Sequence, residues 1–345
     1  MTKEISCGIV LYKYAQNQRY FLMIKQKNSG HFGFPKGHLE SGESKKKTAI
    51  REVKEETNLD AFIIGNYYFK TTYSPKENVS KDVYYYLGKV YDGELFKQEQ
   101  EIDEIFWILE KNVLNKITYE SDKRVFRNLL PKINRIEKGI SLELMSYIEE
   151  HIIPRYKQFD KAHHVDHVFD VIFDSLKLSK TFDVNMNYIY TIAAFHDLGL
   201  KFGRETHHIT GGDILKEDLF IQSFFKPEEI SLMVDAIYDH RASHGVMPRT
   251  IYGKIIAEAD RQMNAQNIIE RTALYETSKH PDLSIDQQVD HCYEHMLEKY
   301  SDHGYLQLCL DIGKNAKELE KLRKMIRNET YIRLKFKEII MKRNK

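Results

Sequence analysis

The 345-residue sequence has little cysteine and no long apolar run. Its three cysteines, Cys7, Cys292 and Cys309, are odd in number and far apart, which argues against a disulfide framework and against a cysteine zinc site. Nowhere do about 18 apolar residues stand together, and the first residues, MTKEISCGIVLY, lack a basic segment that leads into an apolar core. These absences predict a cytoplasmic protein that does not associate with membranes.

Neither sign of charge dominates, because 52 Lys and Arg residues stand against 51 Asp and Glu residues. Binding to nucleic acid through a general electrostatic field is therefore not expected. The segment from Lys314 onward is an exception, with twelve basic and four acidic residues. A solvated helix face is the interpretation we favour for it, and contact with a polyanion such as RNA is the alternative.

Two kinds of sequence pattern divide the chain, whose length itself favours two domains. The first 130 residues alternate β-rich runs with turns, which predicts an α/β domain with a mixed sheet over residues 1–135. From about Ile140, apolar residues recur at helical spacing, which predicts an all-helical domain over residues 140–345. We place the boundary near residues 131–141, where Pro131 and Gly139 bracket a polar stretch. The predicted strands are SCGIVLYKY, RYFLMIKQ, AFIIGNYYFKTTY, KDVYYYLGKVYDG and EIFWIL, and SDKRVFRNLL is a predicted helix of the first domain.

A cluster of glutamates marks another predicted helix, KKTAIREVKEET. Ser41 and Ser44 with Gly42 signal its start, and Asn58 signals its end. Glu52, Glu55 and Glu56 follow the spacing i, i+3 and i+4, so their carboxylates project from one face. Such like charges cost a few tenths of a kcal/mol per pair in an isolated helix. A bound Mg²⁺ ion would reverse that effect, because it prefers hard oxygen ligands. An acidic face exposed to water is the alternative.

The residues around this cluster resemble the Nudix box. Gly37, Glu43, the run Arg51-Glu52-Val53, the pair Glu55-Glu56 and Leu59 match its spacing, and Asn58 replaces its last glycine. The resemblance implies an enzyme that hydrolyses a nucleoside diphosphate linked to another group. It also implies that Mg²⁺ or Mn²⁺ is bound by Glu52, Glu55, Glu56 and the carbonyl of Gly37, and that Glu43 pairs with Arg51.

The attacking water in such a reaction needs a general base. Glu55, Glu56 and Glu101, from the segment QEQEIDEIFW, are the candidates, and the sequence does not choose among them.

Several segments outside the box are similar to the asymmetrical diadenosine tetraphosphate hydrolases: HFGFPKGHLESGE, SCGIVLY, FKTTY and KDVYYYL. The resemblance implies that Tyr73 and Tyr86 stack on adenine and that Lys36 and Lys81 bind phosphates. For each tyrosine, packing within a strand is the alternative. Small nucleotides are therefore the expected substrates, and RNA 5′-pyrophosphohydrolase or NTP pyrophosphohydrolase activity is the alternative.

The helical half holds thirteen of the fifteen histidines. His167, the pair His196-Asp197 and Asp260 follow the order of the HD superfamily of metal-dependent phosphohydrolases, which this half resembles. The resemblance implies a second nucleotide or phosphoester phosphohydrolase whose metal is held by these four residues. By position, His207 and His240 are candidates to hold a second ion. The mixed nitrogen and oxygen ligands suit Mn, Fe, Co, Ni, Zn or Mg and do not identify the metal.

Two further expectations concern this half. His163, His164, His208 and His244 are expected outside the ligand shell. A nucleotide sensor with one silent site is the alternative to two active enzymes.

Overall fold

Seven strands form one mixed sheet in the computed structural model, which describes residues 2–160, 162–241 and 247–343. β1 pairs in parallel with β6 and antiparallel with β2 and β4, while β5 lies antiparallel to β6 and β7 to β2. All five strands predicted from the sequence are present. The strands are β1 (Thr2–Ala15), β2 (Gln18–Gln26), β3 (Phe32–Gly33), β4 (Lys36–His38), β5 (Asp60–Tyr73), β6 (Val79–Asp92) and β7 (Ile102–Leu109).

Helix α1 (Lys45–Thr57) begins and ends where the sequence predicts. The hydroxyl of Ser44 accepts a hydrogen bond from the backbone N–H of Lys47, which satisfies one of the free donors of the first turn. Asn58 ends the helix in the left-handed conformation with φ of 61°, a position that asparagine tolerates better than most residues. Ala49 and Val53 face the core of the sheet, so the opposite face carries the charged side chains.

Helices α2 (Glu110–Lys116) and α3 (Glu120–Ile136) follow the sheet. The helix predicted over SDKRVFRNLL continues through Pro131 for five residues beyond it. Proline removes one backbone hydrogen bond, but the buried apolar side chains of Ile133 and Ile136 extend the helical pattern past it. The irregular connection is therefore restricted to residues 137–141.

The rest of the described chain is helical, which confirms the predicted fold class: a mixed sheet with helices followed by an all-helical region. Backbone contacts divide the chain into two compact units, Met1–Tyr238 and Asp239–Lys345. Helices up to Asp239 are α4 (Leu142–Tyr147), a π-helical turn (Ile148–Ile152), α5 (Val165–Leu178), α6 (Met186–Phe195), α7 (His207–Glu217), α8 (Leu219–Phe224) and α9 (Pro227–Asp239), with short 3₁₀ turns at Ile153–Gln158, Ser179–Thr181 and Leu198–Phe202.

The second unit has its own apolar core, to which residues such as Ile269, Cys292, Leu322 and Phe336 contribute. Many basic side chains of its last two helices form ion pairs, including Arg327 with Asp302 and Lys337 with Asp286. This pairing agrees with a solvated helix face. Its helices are α10 (Ile251–Asp260), α11 (Ala265–Lys279), α12 (Ile285–Tyr300), α13 (Gly313–Arg327) and α14 (Glu329–Arg343).

Within the described ranges, none of these helices combines the length and the apolar character that a membrane span requires.

Candidate metal and substrate sites

A glycine gives the carboxylates of α1 room against the sheet. Gly37 lies in β4, and a Cβ atom at its position would lie 2.0 Å from Oε2 of Glu52. Only glycine therefore lets the backbone of β4 approach this carboxylate so closely. We call Gly37, Glu52, Glu55 and Glu56 the glutamate site.

Arg51 orders the side chains beside this site. Its guanidinium donates two hydrogen bonds to the carboxylate of Glu43, at 3.0 and 3.1 Å. It also donates to Glu52 and to Glu55, at 2.9 Å each, and to the carbonyl of His38. The bidentate pairing with Arg51 is the main reason that the pKa of Glu43 is lowered to about 2. Glu43 thus fixes Arg51, and Arg51 in turn orients two carboxylates.

Glu56 is the most buried carboxylate of the site, with 4% of its surface exposed. Its Oε2 accepts a hydrogen bond of 2.8 Å from the backbone N–H of Lys36. Burial raises the pKa of Glu56 to about 8 and raises that of Glu52 as well, and the negative charge of Glu101 contributes to both shifts. Glu101 itself is exposed and precedes β7. Crowded carboxylates with raised pKa values suit a bound cation, because its charge favours their ionised forms.

A cleft of about 470 Å³ adjoins the glutamate site. Lys36 lines it, so one residue contributes its side chain to the cleft and its backbone N–H to Glu56. Tyr73 also lines it, as the resemblance implied. The other side chains of the wall include His31, Phe32, Phe34, Tyr119 and Asp122.

The remaining two residues expected to bind substrate do not line this cleft. Tyr86 is 6% exposed and belongs to the apolar cluster under α1, so its ring faces the core and we remove it from the candidate set. Lys81 is half-buried in β6 opposite Tyr73, with its Nζ 3.2 Å from Nε2 of His38. Burial is the main cause that lowers the pKa of Lys81, and the positive charge of Lys36 is the next. The ammonium groups of these two lysines are therefore close enough to repel each other.

Sequence reasoning missed three residues of the cleft. His31 and Tyr119 contact each other edge to face, with ring centroids 4.3 Å apart. Asp122 is buried, accepts a hydrogen bond from the hydroxyl of Tyr85, and has a pKa raised by its burial. Because about 90 residues separate His31 from Tyr119 and Asp122, no local pattern signals that they share a wall.

Asp197 lies among three imidazoles in the first unit. Its Oδ2 lies 3.5 Å from Nε2 of His167 and 3.3 Å from Nε2 of His196. Its Oδ1 lies 3.5 Å from Nε2 of His207. We call His167, His196, Asp197 and His207 the histidine site, and its grouping of donors suits a transition metal.

Backbone carbonyls orient two of these imidazoles. Nδ1 of His196 lies 2.7 Å from the carbonyl of Ala193, and Nδ1 of His207 lies 2.6 Å from that of Arg204. A proton on each Nδ1 donates to the carbonyl, which leaves each Nε2 with a lone pair directed toward Asp197. Gly199 allows the approach of α7, because a Cβ there would lie 2.0 Å from the carbonyl of His207.

Two predicted ligands of this half, His240 and Asp260, belong to the second unit. His240 is buried, and Asp260 ends α10 half-buried. Their membership of the histidine site stays a prediction. His244 lies outside the described residues.

Both motifs match known families. The model of the NUDIX domain matches residues 4–129, and the model of the HD domain matches residues 165–264. The chain contains a Nudix domain and an HD domain. The glutamate site lies in the Nudix domain, and the histidine site lies in the HD domain. Both families depend on divalent metals.

The chain is also similar to curated proteins over about a hundred residues. The 8-oxo-(d)GTP phosphatase of Mycolicibacterium smegmatis is 30% identical over 101 residues, which cover 29% of this chain and 30% of the relative. The asymmetrical bis(5′-nucleosyl)-tetraphosphatase of Sus scrofa is 33% identical over 97 residues, which cover 25% of this chain and 65% of the relative. The chain therefore spans less than two thirds of the length of either protein.

Among solved structures, a binary complex of the Caenorhabditis elegans Ap4A hydrolase matches with a TM-score of 0.36 and 23% identity. The match covers 38% of this chain and 98% of that structure.

Proposed function

We propose that the Nudix domain hydrolyses dinucleoside polyphosphates, with diadenosine tetraphosphate, cleaved to ATP and AMP, as the first candidate. The observation that carries this proposal is the continuity between the cleft and the glutamate site through Lys36. A base in the cleft would leave its phosphates beside the carboxylates. The similarity to bis(5′-nucleosyl)-tetraphosphatases supports the same substrate class.

The cleft has the chemistry to bind a nucleotide base. Tyr73, His31 and Tyr119 offer flat ring faces, and stacking of a base on an aromatic side chain contributes about 1 to 3 kcal/mol. The carboxylate of Asp122 is placed to accept hydrogen bonds from an exocyclic amino group of a base. The ammonium groups of Lys36 and Lys81 hold the phosphate chain, whose negative charge relieves the repulsion between them.

The glutamate site fits a hard divalent cation, because Gly37 lets the carboxylate of Glu52 approach β4 and because the pKa values of Glu52 and Glu56 are raised. Glu52, Glu55 and Glu56, with the Gly37 carbonyl, would hold Mg²⁺ or Mn²⁺. A bound ion supplies neutralisation of the charge that develops on the phosphate oxygens. Arg51 keeps Glu52 and Glu55 oriented. A carboxylate takes the proton of the attacking water, and Glu55, Glu56 and Glu101 are the candidates.

The HD domain is proposed to be a second phosphohydrolase that acts on a nucleotide or another phosphoester. His167, His196 and Asp197 would hold a divalent metal ion, with His207 at a second position. The orientation of the His196 and His207 rings by backbone carbonyls supports this assignment. A bound ion supplies Lewis-acid chemistry at the phosphate.

One set of assays tests both assignments. The pure protein is incubated with Mg²⁺ or Mn²⁺ and with dinucleoside polyphosphates, nucleoside triphosphates and triphosphorylated RNA, and the products are separated. Glu56→Gln is expected to abolish dinucleotide cleavage, whereas Glu143→Gln, at an exposed glutamate of α4, leaves it unchanged. His196→Ala is expected to remove only the second activity, with His303→Ala as its control. Intact dinucleotide cleavage in Glu56→Gln would refute the Nudix assignment.

A nucleoside triphosphate is the second candidate substrate, because one relative is an 8-oxo-(d)GTP phosphatase. Comparison of kcat/KM for ATP, 8-oxo-dGTP and diadenosine tetraphosphate separates these candidates. RNA is the third, and a steep fall of activity with salt concentration would favour it.

A further inference from the structure

We propose that Glu276, His280 and His291 form a zinc site in the second unit, outside the residues that the Nudix and HD motifs use. The three residues each offer one ligand atom, and these atoms all lie within 4.8 Å of one another. Helix α11 supplies Glu276, the residue that follows α11 is His280, and α12 supplies His291. An ion bound there would link the C-terminal end of α11 to α12, the next helix along the chain.

The spacing of the ligands is close to that of an occupied site. Oε2 of Glu276 lies 3.8 Å from Nε2 of His280, and the rings of His280 and His291 are nearly parallel with centroids 4.9 Å apart. Bonds of about 2.1 Å to a tetrahedral ion place its ligands roughly 3.4 Å apart. Small rotations of the side chains therefore complete the site.

His295 offers a fourth ligand. It follows His291 by one helical turn, and its Nδ1 lies 4.0 Å from Oε1 of Glu276. His291 and His295 of α12 stand at i and i+4, the arrangement that directs two side chains of one helix to the same side. Glu276 and His280 are also four residues apart, with His280 just beyond the end of α11. His295 lies outside the group of three converging ligand atoms, and a turn of its side chain toward them would give the four ligands that structural zinc prefers.

The electrostatics of Glu276 favour a cation. The residue is 6% exposed and borders the apolar core of α11 and α12, where a lone carboxylate is costly. Its ion pairs in the described structure are with the imidazoles of His280 and His295. A divalent ion would balance the charge of Glu276.

The backbone holds the ligands in place. The side-chain amide of Gln288 donates a 2.8 Å hydrogen bond to the carbonyl of His280, which fixes the end of α11 against the start of α12. Ser284 and Gln287 form a reciprocal capping box that begins α12. Two imidazoles beside a single carboxylate favour zinc over Mg²⁺, which prefers oxygen ligands, and cobalt and nickel are suitable substitutes.

The test measures zinc content and stability of the full chain. Wild type, His291→Ala and His303→Ala are stripped with a chelator, loaded with Zn²⁺, freed of excess ion and analysed by mass spectrometry of the metal. Both altered histidines are exposed, so neither change is expected to disturb folding. The expected result is that His291→Ala retains one equivalent of zinc per chain less than wild type, whereas His303→Ala retains the full amount.

A second readout separates this site from metal binding elsewhere in the chain. Zinc is expected to raise the unfolding temperature of His196→Ala, which lacks an HD ligand, and to raise it less in the double variant His196→Ala/His291→Ala. Equal zinc content in wild type and His291→Ala would overturn the proposal. The proposal would also be overturned if zinc raised the unfolding temperatures of His196→Ala and His196→Ala/His291→Ala by the same amount. Cleavage of dinucleotides by His291→Ala is expected to equal that of wild type, because the site takes no part in it.

Discussion

A buried ion pair between the sheet and the helical region gives a quantitative prediction. Nζ of Lys89, in β6, lies 2.5 Å from Oε1 of Glu149, in the π-helical turn. Lys89 is only 2% exposed, and its ammonium also lies 3.8 Å from the ring centre of Tyr12. The other oxygen of Glu149 accepts a 2.9 Å hydrogen bond from the backbone N–H of Tyr14. Removal of either charge leaves the other buried without its partner.

Glu149→Gln is expected to destabilise the first unit by about 3 to 5 kcal/mol, the usual cost of leaving one buried charge unpaired. Lys89→Met leaves Glu149 beside Glu137, a second buried carboxylate. Burial already raises the pKa of Glu149, and the loss of Lys89 raises it further. A raised pKa means that the folded state favours the neutral carboxyl group of Glu149. The free energy of unfolding of Lys89→Met is therefore expected to fall as pH rises through the folded-state pKa of Glu149.

Urea unfolding measured by tryptophan fluorescence provides the assay. Trp107, in β7, is the only tryptophan of the sequence, so the signal reports on the sheet of the first unit. With a slope near 3 kcal/mol per M, each single change moves the midpoint down by about 1 to 2 M. The double variant Lys89→Met/Glu149→Gln is expected to lose less than the sum of both, by about 2 kcal/mol.

An exposed pair provides the control. Lys157 and Asp92 form an exposed ion pair in the same unit, and Lys157→Met is expected to leave the midpoint unchanged. Strictly additive effects of the Lys89 and Glu149 changes, or shifts no larger than that of the control, would contradict the description of a buried, coupled pair.

Three further predictions concern individual positions. Gly37→Ala places a methyl group 2.0 Å from Oε2 of Glu52 and displaces that carboxylate, so Mg²⁺-dependent hydrolysis should fall by about 100-fold in steady-state kinetics while urea stability is retained. Asn58→Val should cost about 1 to 2 kcal/mol in urea unfolding because φ is 61°, whereas Asn58→Gly should be neutral. Asp82→Asn should destabilise at neutral pH. Its hydrogen bonds, foremost with Lys70, hold the pKa of Asp82 below its usual range. The stabilisation by ionised Asp82 is lost as pH falls through its lowered pKa, so the urea midpoints of Asp82→Asn and wild type should converge in acid. Midpoints that stay apart in acid would refute this explanation.

Contiguous motifs made the Nudix box predictable. The box lies within 23 residues, and its helix sets the directions of Glu52, Glu55 and Glu56 through the spacing of its own backbone. The limits of that helix at Ser44 and Asn58 are equally local, since each cap uses only neighbouring backbone groups. The five strands were predictable for the same reason, because each corresponds to a short contiguous run rich in β-branched and aromatic residues.

The tyrosine run of β6 shows where local reasoning fails. Successive side chains of a strand point to opposite faces of the sheet. In VYYYL the side chains on both faces are apolar or aromatic, so the pattern does not indicate which tyrosine ring lines the cleft. Tertiary packing places Tyr86 in the core under α1 and leaves Tyr73, on the next strand, at the cleft wall.

The sequence by itself determined the fold class and the crowded carboxylates of α1, because each depends on residues close together in the chain. The residue types and order of the two motifs also indicated the two domain families. Tertiary structure alone decided that His31, Tyr119 and Asp122 share one cleft, that His207 faces Asp197, and that α11 and α12 bring Glu276 to His291. Contacts of this kind join residues of different helices, strands and loops, and their geometry is set by how these elements pack rather than by any local periodicity.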